Sequence, residues 1–267
     1  MARNMKKIRI ALSVLTAVAS MEIEAQTVDS LTNACYNALE LKDTMAFNRT
    51  YPLLYDAFVR ENDDMYEVTQ ILQKVHDTDQ SIRILLNDIY SDMEGKGKYL
   101  SMVRRIMSDI DQKNARIVTQ IIDQYGWLGK DDIGEDANET LFLCIQHCQD
   151  SLIQRKYLPI IKEAVDKGNA EPWHFAFLTD RVRMNAGQSQ IYGTQTIKSE
   201  GRTYPVPLQD PYAVDRLRRE IGLVPLNDYM QGFGEHFSVD EYLKAEPTIK
   251  QRYKNWLEKK LLEKGGE

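Results

Sequence analysis

The feature that most constrains this chain is a change of hydrophobic period at Gly187. Before it, apolar residues recur every three or four positions, the spacing that gives an α-helix one buried face. After it, Ile191 to Ile197 and Arg202 to Val206 have strand composition, separated by Lys198-Ser199-Glu200-Gly201, which reads as a β-hairpin. With roughly ten helical segments and one hairpin, the chain is expected to be mainly α: a non-repeat multi-helix bundle with one small β-hairpin near 190–206.

The helical part divides by its caps and breakers. Val28 to Glu40 and Thr44 to Arg60 read as an amphipathic pair that Ala34, Tyr36, Ala38, Tyr51, Leu54, Tyr55 and Phe58 could pack together. The pair looks like one tetratricopeptide-type unit, but a solenoid needs about three repeats to bury a continuous core. It is therefore read as a helical lid. Met65 to His76 places Met65, Val68, Ile71, Leu72 and Val75 on one stripe, and Thr78 or Asp79 is expected to cap a new helix running to about Met93. Asp111 to Tyr125 ends at Gly126, Glu135 to Asp150 forms a strong helix, and Pro159 starts or kinks the next. Pro172 opens the helix that carries Asp180 and Arg181. Asp210-Pro211 caps another, Ser238 and Glu241 form a capping box, and Thr248 to Lys264 reads as a charged surface helix. The expected organisation is a signal peptide over 1–25, a helical hairpin over 26–61, a main helical domain over 62–246 and a C-terminal helix over 247–267.

The leader reading rests on Arg3, Lys6, Lys7 and Arg9 followed by the short apolar run Ile10 to Ala19, with small residues for cleavage after Ala19 or Ala25. That run is too short to span a bilayer, so no membrane span is expected. The location implied is periplasmic or secreted. A net charge of −6 without a basic block argues against a nucleic-acid partner. Only Cys35, Cys144 and Cys148 are present, too few for a disulfide framework. Cys144 and Cys148 flank His147, yet no further spacing supplies a fourth ligand. They are read as buried thiols, and neither a metal nor a cofactor is expected.

Several short motifs occur in a fixed order: Asp79-Gln80-x-x-Arg83, Tyr125-Gly126-Trp127, Gln146-His147, Leu178-Thr179-Asp180-Arg181-Val182 and Gln190-x-Tyr192-Gly193-Thr194-Gln195. In this order they resemble a bacterial family of unknown function over roughly residues 65 to 230. Leu128 stands where that family has proline after the Gly-Trp pair, and Cys148 where it has a small residue after Gln-His. The resemblance implies no activity and no cofactor.

The chemistry lies in those motifs. His147 is the one histidine inside a motif and can act as general acid or base. Asp180 could orient it, and Arg181 could bind a carboxylate or phosphate through two parallel hydrogen bonds. Tyr192 and Thr194 could donate to an oxyanion or a sugar hydroxyl, and Gly193 could admit a ligand close to the backbone. Arg83, Gln146, Gln190 and Gln195 complete the ligand-binding set with charge and paired amide donors and acceptors. Adjacent on a helix, Asp180 and Arg181 point about 100° apart, so each could instead pair with its own buried partner, Arg83 for Asp180 and Asp109 for Arg181.

Two function classes stay open. One is an exported cell-envelope binding or structural module whose partner is a small molecule or envelope component. The other is a secreted enzyme, such as a hydrolase, with His147 as general acid or base and Arg181 on an anionic group. No nucleophile elbow or zinc-protease motif names a reaction. A cleft gathering His147, Arg181, Tyr192 and Gln195 is what separates a ligand site from a closed ionic network.

Overall fold

The computed structural model describes residues 27–199 and 201–265, so the expected leader lies outside the described residues. The described residues form two compact units, divided between Asp64 and Met65. In the first, α1 (Val28–Glu40) packs on α2 (Thr44–Asn62). The Thr27 hydroxyl accepts the Ser30 amide and the Asp43 carboxylate accepts the Ala46 amide, satisfying amides that have no partner within the helix. Leu31, Cys35 and Ala38, at helical spacing, bury with Ala57. The expected aromatic packing is not what holds the pair together. Tyr36, Tyr51, Tyr55 and Phe58 are all more than half exposed, because the small residues occupy the inward stripe and leave the rings outside it.

The second unit is built on two long helices. The first, α3 (Tyr66–Ser91), leads through α4 (Met93–Lys96) and a 3-10 turn at Gly97–Tyr99 into α5 (Leu100–Tyr125). After α6 (Lys130–Ile133) come α7 (Glu135–His147), α8 (Ser151–Asp166) and α9 (Pro172–Asn185). α3 packs on α5 and α7, and α7 is also packed by α8 and α9. Leu72, Val118, Leu141, Ile145, Ile161 and Leu178 reach zero exposure where these helices meet. Burying each such side chain contributes about 1.5–3 kcal/mol.

Two helix boundaries differ from expectation. No cap interrupts α3 at Thr78 or Asp79. The Thr78 hydroxyl turns back to the Val75 carbonyl, a bond of 2.9 Å compatible with a helix interior, and the buried Asp79 is taken up by Gln80 and Arg83 of α3 and by His147 of α7. Pro159 lies inside α8, whose N-terminus is capped nine residues earlier by Asp150, its carboxylate accepting the Leu152 amide at 2.8 Å.

Beyond α9 the chain forms β1 (Thr196–Ser199) and β2 (Arg202–Pro205), antiparallel with Thr196 opposite Pro205. The first strand begins five residues later than the composition of Ile191 to Ile197 implies, because the preceding amides bond to a side chain rather than to a ladder. α10 (Val214–Glu220), α11 (Leu226–Gln231) and α12 (Val239–Gly265) complete the unit. The expected boundary between 246 and 247 meets an unbroken helix. α12 continues through Pro247, and Ile249 and Tyr253 are buried, so the stretch expected as a separate surface element is part of this unit's core. Tyr253 joins Met184, Ile197 and Val206, and its hydroxyl donates to the Met184 carbonyl. Among the described residues no helix is long and apolar enough to cross a membrane.

Candidate functional site

The site begins at the end of α7, which Gln154 fixes. The buried Gln154 amide nitrogen donates to the Cys148 carbonyl at 2.7 Å and to the Gln146 carbonyl at 3.2 Å. Carbonyls at a helix C-terminus have no partner in the helix itself, so one side chain from α8 locks the turn that carries Gln146 and His147.

His147 Nδ1 lies 3.1 Å from Asp79 Oδ1, across from α7 to α3. Asp79 is 1% exposed and also accepts from Gln80 Nε2 at 2.8 Å and pairs with Arg83 at 3.0 Å. Arg83 reaches on to Asp111 of α5 at 2.8 Å. Burial by itself would raise the Asp79 carboxyl; the His147 hydrogen bond and charge, with Arg83 and Gln80, overcome it and hold the group below the ordinary carboxylate range. An ionised carboxylate can only accept, so His147 carries its proton on Nδ1. Nε2 is left as the basic nitrogen, on a ring that lines a cleft.

A second construction fixes the other wall. Asp180 is fully buried, and its carboxylate accepts the amides of Ile191 at 2.7 Å, Tyr192 at 3.1 Å and Thr194 at 3.0 Å, together with the Thr194 hydroxyl at 3.0 Å. Burial pushes this carboxyl above the ordinary carboxylate range, and the amides and hydroxyl offset that rise only in part. From the other side Arg218, 1% exposed, donates to the carbonyls of Tyr192 at 2.7 Å and Val224 at 2.6 Å. Tyr229 donates its hydroxyl to the Thr194 carbonyl at 2.9 Å. Gln190 replaces a ladder partner: its amide donates to the carbonyls of Gln195 and Val206 and accepts the Gln195 amide. The loop from 190 to 195 therefore has a fixed shape without being a strand.

Between these walls lies a cleft of about 320 Å³. Phe142, Trp173, Phe177 and Tyr229 supply aromatic surface, and Gln146, His147, Arg181, Thr194 and Gln195 supply polar atoms. Arg181 is only partly exposed, and its Nε is buried without a hydrogen-bond partner. Burial, reinforced by the charge of Arg83, lowers its affinity for the proton, Tyr229 acts in the opposite sense, and no carboxylate offsets the loss. Gln146 Oε1 is likewise buried without a partner. A guanidinium N–H and an amide oxygen, each buried and unbonded at one cleft, are costly unless something else fills the place.

The expected residues thus fall into two sets. Gln146, His147, Arg181, Thr194 and Gln195 share the cleft. Asp180, Gln190 and Tyr192 do not line it. Asp180 is not the partner of His147: its oxygens are taken up by the loop it shapes, and the orienting carboxylate is Asp79. Arg83 pairs with Asp79 and Asp111, not with Asp180, and Arg181 has no pairing with Asp109. Gly193 brings the backbone close to Leu226, not to a ligand space: at φ 67°, an added Cβ would lie 3.0 Å from both Leu226 methyls. The Thr194 hydroxyl is occupied by Asp180. Asp79 stood in the sequence as the first residue of the Asp-Gln-x-x-Arg motif, a charge inside an apolar helical stripe. The aromatic wall had no such signal, since its members fit a core stripe equally well. Cys144 and Cys148 are buried, and no group of three metal-binding side chains is placed to hold a metal ion among the described residues.

No curated protein and no solved structure matches the chain. A family model does match, over residues 66–240, which takes in α3 through the start of α12 and every residue lining the cleft. The chain belongs to this family of unknown function, DUF6624.

Proposed function

We propose that the cleft binds a small organic anion, with Arg181 as its anchor and the aromatic wall against its apolar body. The observation that carries this reading is the guanidinium at the cleft with no carboxylate partner. A volume of about 320 Å³ suits a ligand at the small end of the usual 300–1,000 Å³ range of binding pockets. Benzoate and phenyl phosphate are the first probes. Titration followed by tryptophan fluorescence should detect binding to the wild type and a loss of about tenfold to a hundredfold in Arg181→Met, the worth of a charge-assisted hydrogen bond. Equal affinity in both proteins would remove the anion reading.

A hydrolytic activity is the second reading, favoured by the Asp79–His147 contact. With Nδ1 protonated against Asp79, Nε2 can take a proton from water as its oxygen attacks an ester of the bound anion, then return it to the leaving group. No cleft hydroxyl competes as nucleophile at Thr194, whose Oγ1 is bonded to Asp180. Release of phenol from phenyl phosphate, abolished in His147→Gln with binding retained, is the expected result; a wild type without turnover leaves binding alone.

The place of action follows from the leader, Arg3 to Ala19, which supports export to the periplasm or beyond. N-terminal sequencing of the protein recovered from the cell envelope should begin after Ala19 or Ala25, and an intact Met1 in that fraction would end this part of the proposal.

A further inference from the structure

A second cavity, of about 220 Å³, adjoins the first: Glu139 and Trp173 line both. Its charge is opposite in sign. Glu135, Glu139 and Glu171 face one cation, Lys130, which lies 3.6 Å from Glu171 and leaves the other two carboxylates unpaired. The floor is polar and unsatisfied. His174 is 1% exposed, and neither ring nitrogen has a partner. It stacks on Phe142 at 4.4 Å and meets the Trp173 ring edge-on at 4.2 Å. Asn138 is 4% exposed and donates its amide to the carbonyls of Leu128 at 2.6 Å and Asn169 at 2.8 Å. Those two acceptors fix the amide's orientation and leave its oxygen without a protein donor.

We propose that the ligand is a zwitterion, its anionic group on Arg181 and its protonated amine in this second cavity. The inference rests on the anion reading of Arg181. Unpaired carboxylates, an amide oxygen and an indole face are the groups that receive an ammonium. Burial drives the His174 imidazole down to about 3, so the ring is neutral, offers one accepting nitrogen and adds no repelling charge. A metal cation does not fit, since the described residues offer no set of three metal-binding side chains in reach of one point. The shared Glu139 and Trp173 make one bipolar molecule, rather than two separate ions, the economical occupant.

The test is a series of straight-chain ω-amino acids of increasing length, each beside its N-acetyl derivative, titrated into the full chain and followed by tryptophan fluorescence. At one length the free amine should bind at least about tenfold more tightly than its acetyl derivative, a difference of about 1.4 kcal/mol. Glu135→Gln combined with Glu139→Gln should abolish that preference without weakening the acetyl derivative. Both glutamates are exposed, so the double variant should keep the wild-type melting curve. Arg181→Met should weaken both members of the pair. A preference that is missing, or that survives the double variant, overturns the zwitterion and leaves the anion site standing. Unchanged binding of both compounds to Arg181→Met overturns the anion site itself, and no binding by any member overturns the zwitterion.

Discussion

Arg181→Met should make this protein more stable while emptying its cleft. In the native state Arg181 Nε is buried without an acceptor, and no carboxylate balances the charge. A buried donor left unbonded costs about 1–3 kcal/mol. Methionine follows the same unbranched path through the aliphatic part of the side chain, and swaps of this kind lose less than about 1.5 kcal/mol of packing. The balance is a gain of about 1 kcal/mol, or a rise in Tm of roughly 2–4 °C for a domain of this size. Arg218→Met is the paired control. Its guanidinium is buried too but donates to Tyr192, Gly193 and Val224 carbonyls and lies 5.0 Å from the Tyr229 ring centre. Losing it leaves three carbonyls without that donor, and the expected cost is about 3 kcal/mol or more. Thermal and urea melts of both variants measure the contrast. If Arg181→Met is instead destabilised by about 3 kcal/mol, Arg181 belongs to a buried ionic network and the ligand-site argument fails.

Other outcomes follow from the same geometry. Asp180→Asn replaces an acceptor-only group by one with a single oxygen, so at least one of the Ile191, Tyr192 and Thr194 amides loses its partner; urea unfolding should register a loss of about 2–4 kcal/mol, and a neutral effect would deny Asp180 its structural role. Acid stability should report His174. Its folded value of about 3 lies below the ordinary histidine value of 6.5, so in that window the unfolded chain binds a proton that the native ring refuses. Stability should therefore fall as pH is lowered from 6.5 towards 3, by several kcal/mol in all. His174→Gln, which cannot titrate, should flatten that limb, and an unchanged slope would show that the native ring is accessible to protons. Asp79 acts at the acid end of this window and beyond: its lowered carboxyl contributes fully above the ordinary value of 3.8, and that contribution is lost as pH falls below it. A chain ending at residue 246 should lose cooperative unfolding in the hairpin region, since Tyr253 and Ile249 are removed from the core; hydrogen exchange as slow as wild type over 196–205 would contradict this.

The sequence alone determined what local periodicity encodes. Apolar residues every three or four positions specify helices, and the composition around Lys198–Gly201 specifies a reversal, so the mainly α class and the single hairpin were legible residue by residue. The two motifs Gln146-His147 and Thr194-Gln195 with Arg181 were also legible as short polar interruptions beside core stripes. What the sequence could not decide is which carboxylate meets which base. Asp79 and His147 are separated by 68 positions, and only the packing of α3 on α7 brings them to 3.1 Å. Locally, Thr78 and Asp79 offer the side-chain oxygens of an N-cap, and nothing nearby says that Val75 will take up the first and that His147 will join Gln80 and Arg83 on the second. The role of Asp180 is hidden for the reverse reason: its partners are the main-chain amides of a loop, which carry no sequence signature. Pro247 similarly marks a break in any local reading, because it lacks an amide hydrogen. Tertiary burial of Tyr242 before it and of Ile249 and Tyr253 after it holds α12 continuous across that missing bond.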